Sequence, residues 1–483
     1  MIAILTCFKN EAHILQEWIE HYRQRGIEHI YMINDFSTDN YIEKIQPYLD
    51  INFITVFNSD IVTKERGKQL LLYNKYFYNI VKSLKHKWFF VLDMDEFLYS
   101  PNEINLNKVL EKYDNYSELK IWMHNFGSSN LINQPNKVVE NFILRSKFDE
   151  SKSYISYKSG FKASDFIKFD IHSHSVKGKS LFISQYNISD LVINHYSIQS
   201  LDMFKNRKLI IGDVNNYYSG DQMSMSYFKN RDSNEILDET LKQQTNLINQ
   251  SRLTCVSAYW KINNKHGNKF EDWFKNTLKI NCPYVFFGDK ESIALVKKYR
   301  GELPTYYIEY NIEEFVTYKY KDNMITDFNH CPSIELNLIW NEKIFMIQRA
   351  LKINPFSSDF FCWIDAGICI YRNSSPPSIP FPNINKLNEL PQDKFIYSST
   401  NKTYNDNKFQ KGNYAFAHHV SGTYILHKNI INRFVELYKE YLNLIDKNDI
   451  WTDQVILTHI YKDNKELFYK YCDGYGSVVR KLF

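Results

Sequence analysis

The 483-residue chain has no apolar run approaching the ~18 residues that cross a bilayer. It also lacks a basic block or Arg-rich stripe, and its net charge of +4 is close to balanced, so no nucleic acid partner is expected. The seven cysteines (Cys7, Cys255, Cys282, Cys331, Cys362, Cys369 and Cys472) are scattered, odd in number and without a Cys-x-x-Cys pair. That pattern excludes a disulfide framework and a structural zinc site, and it reads as reduced, mostly buried thiols. The opening Met1-Ile2-Ala3-Ile4-Leu5-Thr6-Cys7 is too short in its apolar part for a signal peptide and reads as a first strand. These absences leave a cytosolic location as the expectation, host cytosol for a viral gene, with peripheral membrane contact left open.

What is present is the composition of a globular protein, 44% hydrophobic and 24% charged, with a high 16% of aromatics. At ~150 residues per domain the length allows two to three units. Twice an aromatic strand runs into an aspartate, at Trp88-Phe89-Phe90-Val91-Leu92-Asp93-Met94-Asp95 and at Phe360-Phe361-Cys362-Trp363-Ile364-Asp365-Ala366-Gly367. A carboxylate where a buried strand leaves an open α/β sheet lies at the edge where such folds bind ligands. The pairing points to two α/β domains in tandem, 1–215 and 252–483, with a polar helical seam over 216–251.

In the first half, Ile2 to Cys7 reads as a strand, Glu11 to Arg25 as a helix with Ile14, Leu15, Trp18, Ile19 and Tyr22 on one face, and Ile30 to Ile33 as the next strand. Helical sequence from Lys68 to Lys82 leads to the strand ending at Leu92. Strand alternation would put Asp93 and Asp95 on one side, where two hard oxygen ligands suit Mg²⁺ or Mn²⁺ shared with a diphosphate. Such an ion offsets the charge on a departing nucleoside diphosphate.

Lys9-Asn10-Glu11-Ala12, Glu17-Trp18-Ile19-Glu20-His21-Tyr22, Gly26-Ile27, Asp35-Phe36-Ser37-Thr38-Asp39, Leu92-Asp93-Met94-Asp95-Glu96-Phe97, Phe126-Gly127-Ser128-Ser129 and Asn194-His195-Tyr196 together resemble the family-two and family-ninety-two type glycosyltransferases of GT-A fold, over about 1–215. The resemblance implies nucleotide-sugar contacts from Asn10, Glu11, Asp35, Asp93 and Lys162, and metal ligation by Asp93 and Asp95. His195 would add a metal or phosphate contact, a core histidine beside Tyr196 being the plain alternative. Where a lysine is usual the chain has Gln199, and Arg207 or Lys208 would compensate. Asp213 and Asp170 both stand as carboxylates to deprotonate an acceptor hydroxyl.

The second half opens on Leu253-Thr254-Cys255, echoing Leu5-Thr6-Cys7. A helix is expected over Phe270 to Ile280, a strand over Tyr284 to Phe287 and a long amphipathic helix over Leu336 to Leu351. Asp365 has Gly367 where the first pair has its second carboxylate, so a metal there needs other ligands, and one of His418 and His419 is a candidate. Trp340-Asn341-Glu342-Lys343, Asn354-Pro355-Phe356, Trp363-Ile364-Asp365-Ala366-Gly367 and Trp451-Thr452-Asp453-Gln454 resemble the bacterial HtrL/YibB-like family, a group expected to act as glycosyltransferases, over roughly 252–483. By that resemblance Asp453 is a catalytic candidate, Gln454 and Lys343 contact the nucleotide sugar, and Asp365 faces the metal.

The expectation is an α/β protein of two tandem GT-A-like, Rossmann-like nucleotide-sugar-binding domains. It would move sugars from nucleoside diphosphate sugars, UDP-linked, to a hydroxyl of a glycan, glycolipid or protein, using Mn²⁺ or Mg²⁺ in the first domain. The rivals are one live domain beside an acceptor-binding one, a metal-dependent phosphoesterase, and a glycan-binding module.

Overall fold

A computed structural model of the chain describes residues 1–63, 67–147, 157–183, 190–211, 224–249, 252–262, 266–267, 269–327, 331–400, 419–444, 450 and 452–483. The chain divides into two compact units, Met1–Asn249 and Gln250–Phe483. Both are α/β with a mixed sheet. Among the described residues no helix is long and apolar enough to cross a membrane. The cysteines are free, and all but Cys369 and Cys472 are buried.

The first unit is built on nine strands, β1 (Ile2–Phe8), β2 (His29–Asn34), β3 (Ile54–Asn58), β4 (Trp88–Val91), β5 (Glu96–Tyr99), β6 (Glu118–Asn125), β7 (Tyr157–Lys162), β8 (Ser180–Ile183) and β9 (Val192–His195). Their order is β3-β2-β1-β4-β7-β6-β9-β5, with β8 also on β6. β1 to β4 run parallel, and β7 lies antiparallel between β4 and β6. β9 follows β6 in parallel, so the ends of β1, β2, β4 and β9 all reach one edge. β1, β2 and β4 are buried along their whole length, as uninterrupted apolar runs should be when helices cover both faces.

β5 is the last strand in this order, and its outer backbone groups need partners. Helix α1 (Ala12–Arg23) supplies them from its buried face. Trp18 Nε1 and Tyr22 Oη each donate to Glu96 O, at 2.9 and 2.8 Å, and Tyr22 Oη accepts from Leu98 N at 2.9 Å. His21 Nε2 donates to Leu98 O at 2.8 Å, which fixes the neutral tautomer. The helix therefore sets the height of the strand that starts at Glu96.

Of the segment expected as a seam, the described residues 224–249 belong to this unit. Helix Thr240–Asn249 is tied in by Gln244, whose amide accepts from Arg25 at 2.9 Å and donates to Ser100 O at 2.8 Å. The two-residue strand Ile236–Leu237 pairs with Leu144–Arg145. Polar side chains that close on buried backbone, rather than on water, make this stretch part of a core.

Among the described residues the second unit has seven strands, β10 (Leu253–Tyr259), β11 (Tyr284–Gly288), β12 (Thr305–Glu309), β13 (Phe360–Trp363), β14 (Phe395–Ser399), β15 (Val420–His427) and β16 (Phe468–Asp473), in the order β12-β11-β10-β13-β15-β14-β16. β10 to β13 are parallel, and β15 is antiparallel to β13. Helix α2 (Ile334–Ile353) begins with Ser333 Oγ accepting from Leu336 N and ends on Asn354 in the left-handed region. The sequence suggested an amphipathic helix, yet Asn337, Asn341, Glu342 and Lys343 are all buried. Their polar ends are satisfied inside: Glu342 accepts from Val316 N, Thr317 N, Thr317 Oγ1 and Tyr310 Oη within 3.0 Å.

Two stability predictions follow from this packing. A Cβ at Gly160 would lie 2.1 Å from the Phe90 ring, which is itself fully buried, so Gly160→Ala should cost about 1–3 kcal/mol in urea unfolding. Combining it with Phe90→Leu should recover part of that loss, a non-additivity that independent sites would not show. Burial holds His21 neutral, its pKa well below the usual imidazole range. Its contribution is therefore complete above the unfolded value of about 6.5 and is lost as pH falls below it. Unfolding free energies of His21→Gln, which keeps the donor but cannot titrate, should fall less steeply between pH 6.5 and 5, by about 1.4 kcal/mol per pH unit.

Candidate functional site

At the shared edge of the first sheet, Asn10 stitches the turn after β1 to the turn after β2. Its Oδ1 accepts from Thr38 N at 2.7 Å and its N–H donates to Ser37 Oγ at 2.9 Å. Asp39 Oδ2 accepts from Ala12 N at 2.8 Å, anchoring the start of α1. Arg207 closes the same turn from the far end of the unit, donating to Asn10 O at 2.8 Å and Lys9 O at 2.9 Å and pairing with Glu11. Glu11 is half-buried, and its loss of water raises its carboxyl to about 7 against the pull of Arg207 and Lys208. An open groove of about 570 Å³ runs past Asn10, His13, Thr38, Lys44 and Arg207. Asp35 points inward instead, fully buried against Lys68 Nζ at 2.7 Å.

Asp93 and Asp95 do not continue β4. The chain turns after Leu92, with Asp93 N donating to Glu96 Oε2 at 2.9 Å and Glu96 N to Asp93 O at 3.1 Å. The two carboxylates therefore face different lysines, not one side of a strand. Lys158 Nζ lies 2.6 Å from Asp93 Oδ2 and 3.4 Å from Glu96 Oε1, and Lys208 Nζ lies 3.1 Å from Asp95 Oδ2. Burial raises Glu96 to about 8 despite Lys158, whereas at Asp95 the ammonium of Lys208, with Lys158 farther off, outweighs burial and holds the carboxyl well below its usual range.

The register explains which residues meet. His195 ends β9 opposite Glu96 in β5, and Tyr196 N donates to Asp95 O at 2.8 Å. His195 Nε2 is brought to 3.6 Å from Asp95 Oδ1. Burial keeps the imidazole neutral, its pKa lowered to about 4, and Nδ1 donates to Asn125 Oδ1 at 3.1 Å. The lone pair of Nε2 is thus turned toward a carboxylate oxygen, near the ~3 Å that separates neighbouring ligands of a six-coordinate ion. This donor pair fits Mn²⁺ or Mg²⁺. Among the described residues no three His, Cys, Asp or Glu groups converge to cage an ion.

Lys162 is not brought here. It pairs with Trp88 at the amino end of β4, ~13 Å along β7 from Lys158, and its ammonium lies 5.4 Å over the Trp88 ring. Lys158, Gln69 (Nε2 to Asp93 Oδ1, 3.3 Å) and Glu96 are the residues that sequence reasoning missed. Antiparallel pairing of β7 with β4 would have identified Lys158. Asp170 is exposed on the loop whose His172 senses both Asp93 and Asp170. Asp213 and His418 lie outside the described residues. Gln199 is buried and accepts from Gln134 Nε2 at 2.8 Å.

In the second unit Asp365 follows β13 as Asp93 follows β4, each strand parallel to the first strand of its sheet. Lys343 Nζ, buried in the middle of α2, lies 2.9 Å from Asp365 Oδ1 and 3.0 Å from Asp453 Oδ2. Trp363 Nε1 donates to Asp365 Oδ1 at 2.8 Å. Burial raises Asp453, the first residue of helix α3 (Asp453–Asp463), to about 6 even beside Lys343. Gln454 accepts from Tyr475 Oη at 3.0 Å. Asp365, Lys343, Asp453 and Gln454 border one cavity of about 580 Å³. His419 Nε2 is engaged with Tyr397 Oη at 2.9 Å.

Comparison with known proteins agrees with this division. A model described as "Bacterial protein of unknown function (HtrL_YibB)" matches residues 307–477, and one described as "Glycosyltransferase family 92" matches residues 2–245. A glycosyltransferase family 92 protein of Ricinus communis is 24% identical over 213 residues, 43% of this chain and 37% of that protein. One from Oryza sativa is 25% identical over 214 residues, with 43% and 35% covered. A galactan beta-1,4-galactosyltransferase of Arabidopsis thaliana is 28% identical over 119 residues, 22% of this chain and 21% of that one. The chain thus spans little more than a third of the length of the family 92 proteins it matches. Among solved structures, S. aureus TarS 1–349 in complex with UDP-GlcNAc aligns at 11% identity and a TM-score of 0.22, covering 34% of this chain and 45% of that one. A glycosyltransferase involved in glycosylation of the major capsid of PBCV-1 aligns at 12% and 0.25, covering 46% and 81%. With the family model spanning residues 2–245, half of the sequence and all of the Asp93–Asp95–His195 cluster, the chain belongs to glycosyltransferase family 92.

Proposed function

We propose that the chain is a bifunctional glycosyltransferase, each unit transferring a sugar from a nucleoside diphosphate sugar, UDP-linked in the first unit, to a hydroxyl of a glycan, glycolipid or protein. The observation that carries this reading is the meeting of Asp93, Asp95, His195, Lys158 and Lys208 at one sheet edge of a family 92 member. Asp95 and His195, with Asp93 beside them, would hold Mn²⁺ or Mg²⁺, which when bound supplies positive charge to the leaving diphosphate. The chain's own residues supply the rest. Arg207 brings a cationic group to the groove and Lys208 one to Asp95, where phosphate oxygens would lie. Lys158 and Gln69 hold the Asp93 carboxylate in place for a ribose or metal contact. Asn10 keeps the two turns together so that a base and ribose meet a rigid wall. Asp170, exposed on the adjoining loop, and Asp213 are the two carboxylates that would take the acceptor proton.

For the second unit, support comes from the matching address of Asp365 and from the cavity it shares with Lys343, Asp453 and Gln454. Two transfer sites on one chain raise the effective concentration of an intermediate at the second.

A panel of nucleotide sugars with Mn²⁺ or EDTA tests the proposal, released nucleotide being read by mass spectrometry. Asp93→Ala/Asp95→Ala should lower kcat/KM for one donor roughly 100-fold or more while leaving a second donor's turnover to be lost in Asp365→Ala. A single donor lost only in the first variant would reduce the chain to one active unit, and phosphate release without sugar transfer would favour a phosphoesterase. Asp170→Asn should lower kcat about 100-fold with little change in the donor KM, since a base acts in the transition state. An equal rise in KM would move Asp170 out of that role.

A further inference from the structure

The cavity of the second unit differs in chemistry from the first unit's edge. Its walls are aromatic, from Tyr259, Trp260, Phe270, Trp340, Trp363 and Tyr475. Tyr259 and Phe270 stack at 5.8 Å with their planes 11° apart. At 580 Å³ it has the size of a pocket that encloses a small ligand.

Its polar groups form an array of fixed donors and acceptors. Lys343 is 3% exposed in its side chain, and its ammonium is held between Asp365 and Asp453. Asp365 is 41% exposed in its side chain, so its second oxygen is open to a ligand. Antiparallel register sets Gly422 of β15 across from Asp365. A Cβ there would stand 3.2 Å from Gln454 Nε2, 3.2 Å from Lys343 Nζ and 3.3 Å from Asp365 Oδ2. The glycine lets an amide donor, an ammonium donor and a carboxylate acceptor pack together against the strand backbone, where any side chain would crowd them.

Charge decides what this array is suited to bind. Lys343 is matched by two carboxylates, so it offers no surplus positive charge to a free phosphate. A divalent ion would have to enter beside an ammonium that already bridges both aspartates, with Gly367 in place of a second carboxylate. Alternating donors and acceptors under aromatic walls suit a neutral ring with vicinal hydroxyls and an apolar C–H face.

We propose that this cavity binds a neutral pyranose, its hydroxyls hydrogen-bonded to Asp365, Lys343 and Gln454 and its ring faces against the aromatic walls, without a divalent cation. The proposal deepens the reading of the second unit as a sugar site, and the pyranose could belong to a nucleotide donor or to the end of a glycan.

The test titrates the full chain in EDTA with methyl glycosides of glucose, galactose, mannose and N-acetylglucosamine and with the matching nucleotide sugars, by saturation-transfer NMR and calorimetry. At least one glycoside should bind with unchanged affinity in Asp93→Ala/Asp95→Ala. Tyr475→Ala, a change at an exposed rim residue that leaves the core intact, should weaken it about tenfold, as should Lys343→Met, with Lys343→Arg recovering part of the loss. Tighter binding of the nucleotide form identifies a donor site, and equal or weaker binding a glycan-end site. The proposal is overturned if no glycoside binds, if binding requires Mn²⁺, or if it is indifferent to both Tyr475→Ala and Lys343→Met. Glycoside binding without any donor turnover lost in Asp365→Ala would instead remove the second transferase activity and leave the sugar site standing.

Discussion

A lysine ammonium buried against aspartates at the end of a central strand organises both units. Lys158 and Lys343 are each 3% exposed in their side chains. A charge so far from water is tolerated only with close partners of opposite sign, and removing one partner leaves the other stranded. The aspartates are therefore fixed from beneath, before any ligand arrives. In the first unit Lys158 holds Asp93 and Glu96 while Asp95 meets Lys208 and His195, and in the second both aspartates are held on one ammonium. The same device thus leaves two different chemical surfaces.

Much of the fold was legible in the sequence because its strands are long apolar runs. Ile2 to Cys7, Ile30 to Ile33 and Tyr284 to Phe287 reappear as strands within a residue or two, and Leu336 to Leu351 as helix Ile334–Ile353. Strand order and direction were not legible. The antiparallel insertion of β7 between β4 and β6 joins residues about 70 positions apart in sequence, which no local period encodes. The stretch around Thr240–Asn249 looked like a connector because it is polar. Its polarity serves Arg25 and the Ser100 carbonyl, so tertiary closure overrode composition.

The site was legible as residue types more than as geometry. Asp95 and His195 do come together, Asp93 turns to Lys158 instead, and Asp365, Lys343, Asp453 and Gln454 border one cavity. Alternation misplaced the two aspartates because the chain turns at Leu92, where Glu96 accepts from Asp93 N. The family resemblance pointed to Lys162, which shares a face of β7 with Lys158, and only the register tells which end of the strand meets Asp93. Trp18, His21 and Tyr22 carried the family resemblance, and their work is to hold the backbone of β5.

Arg207 grips the carbonyls of Lys9 and Asn10, nearly two hundred residues away, and Lys208 meets Asp95 from the same turn. On the ribosome the first strand emerges long before these two side chains are made. The sheet can assemble in the interval, but the groove mouth cannot close and Asp95 has no ammonium beside it. Closure of the edge therefore waits on side chains made nearly two hundred positions after the first strand.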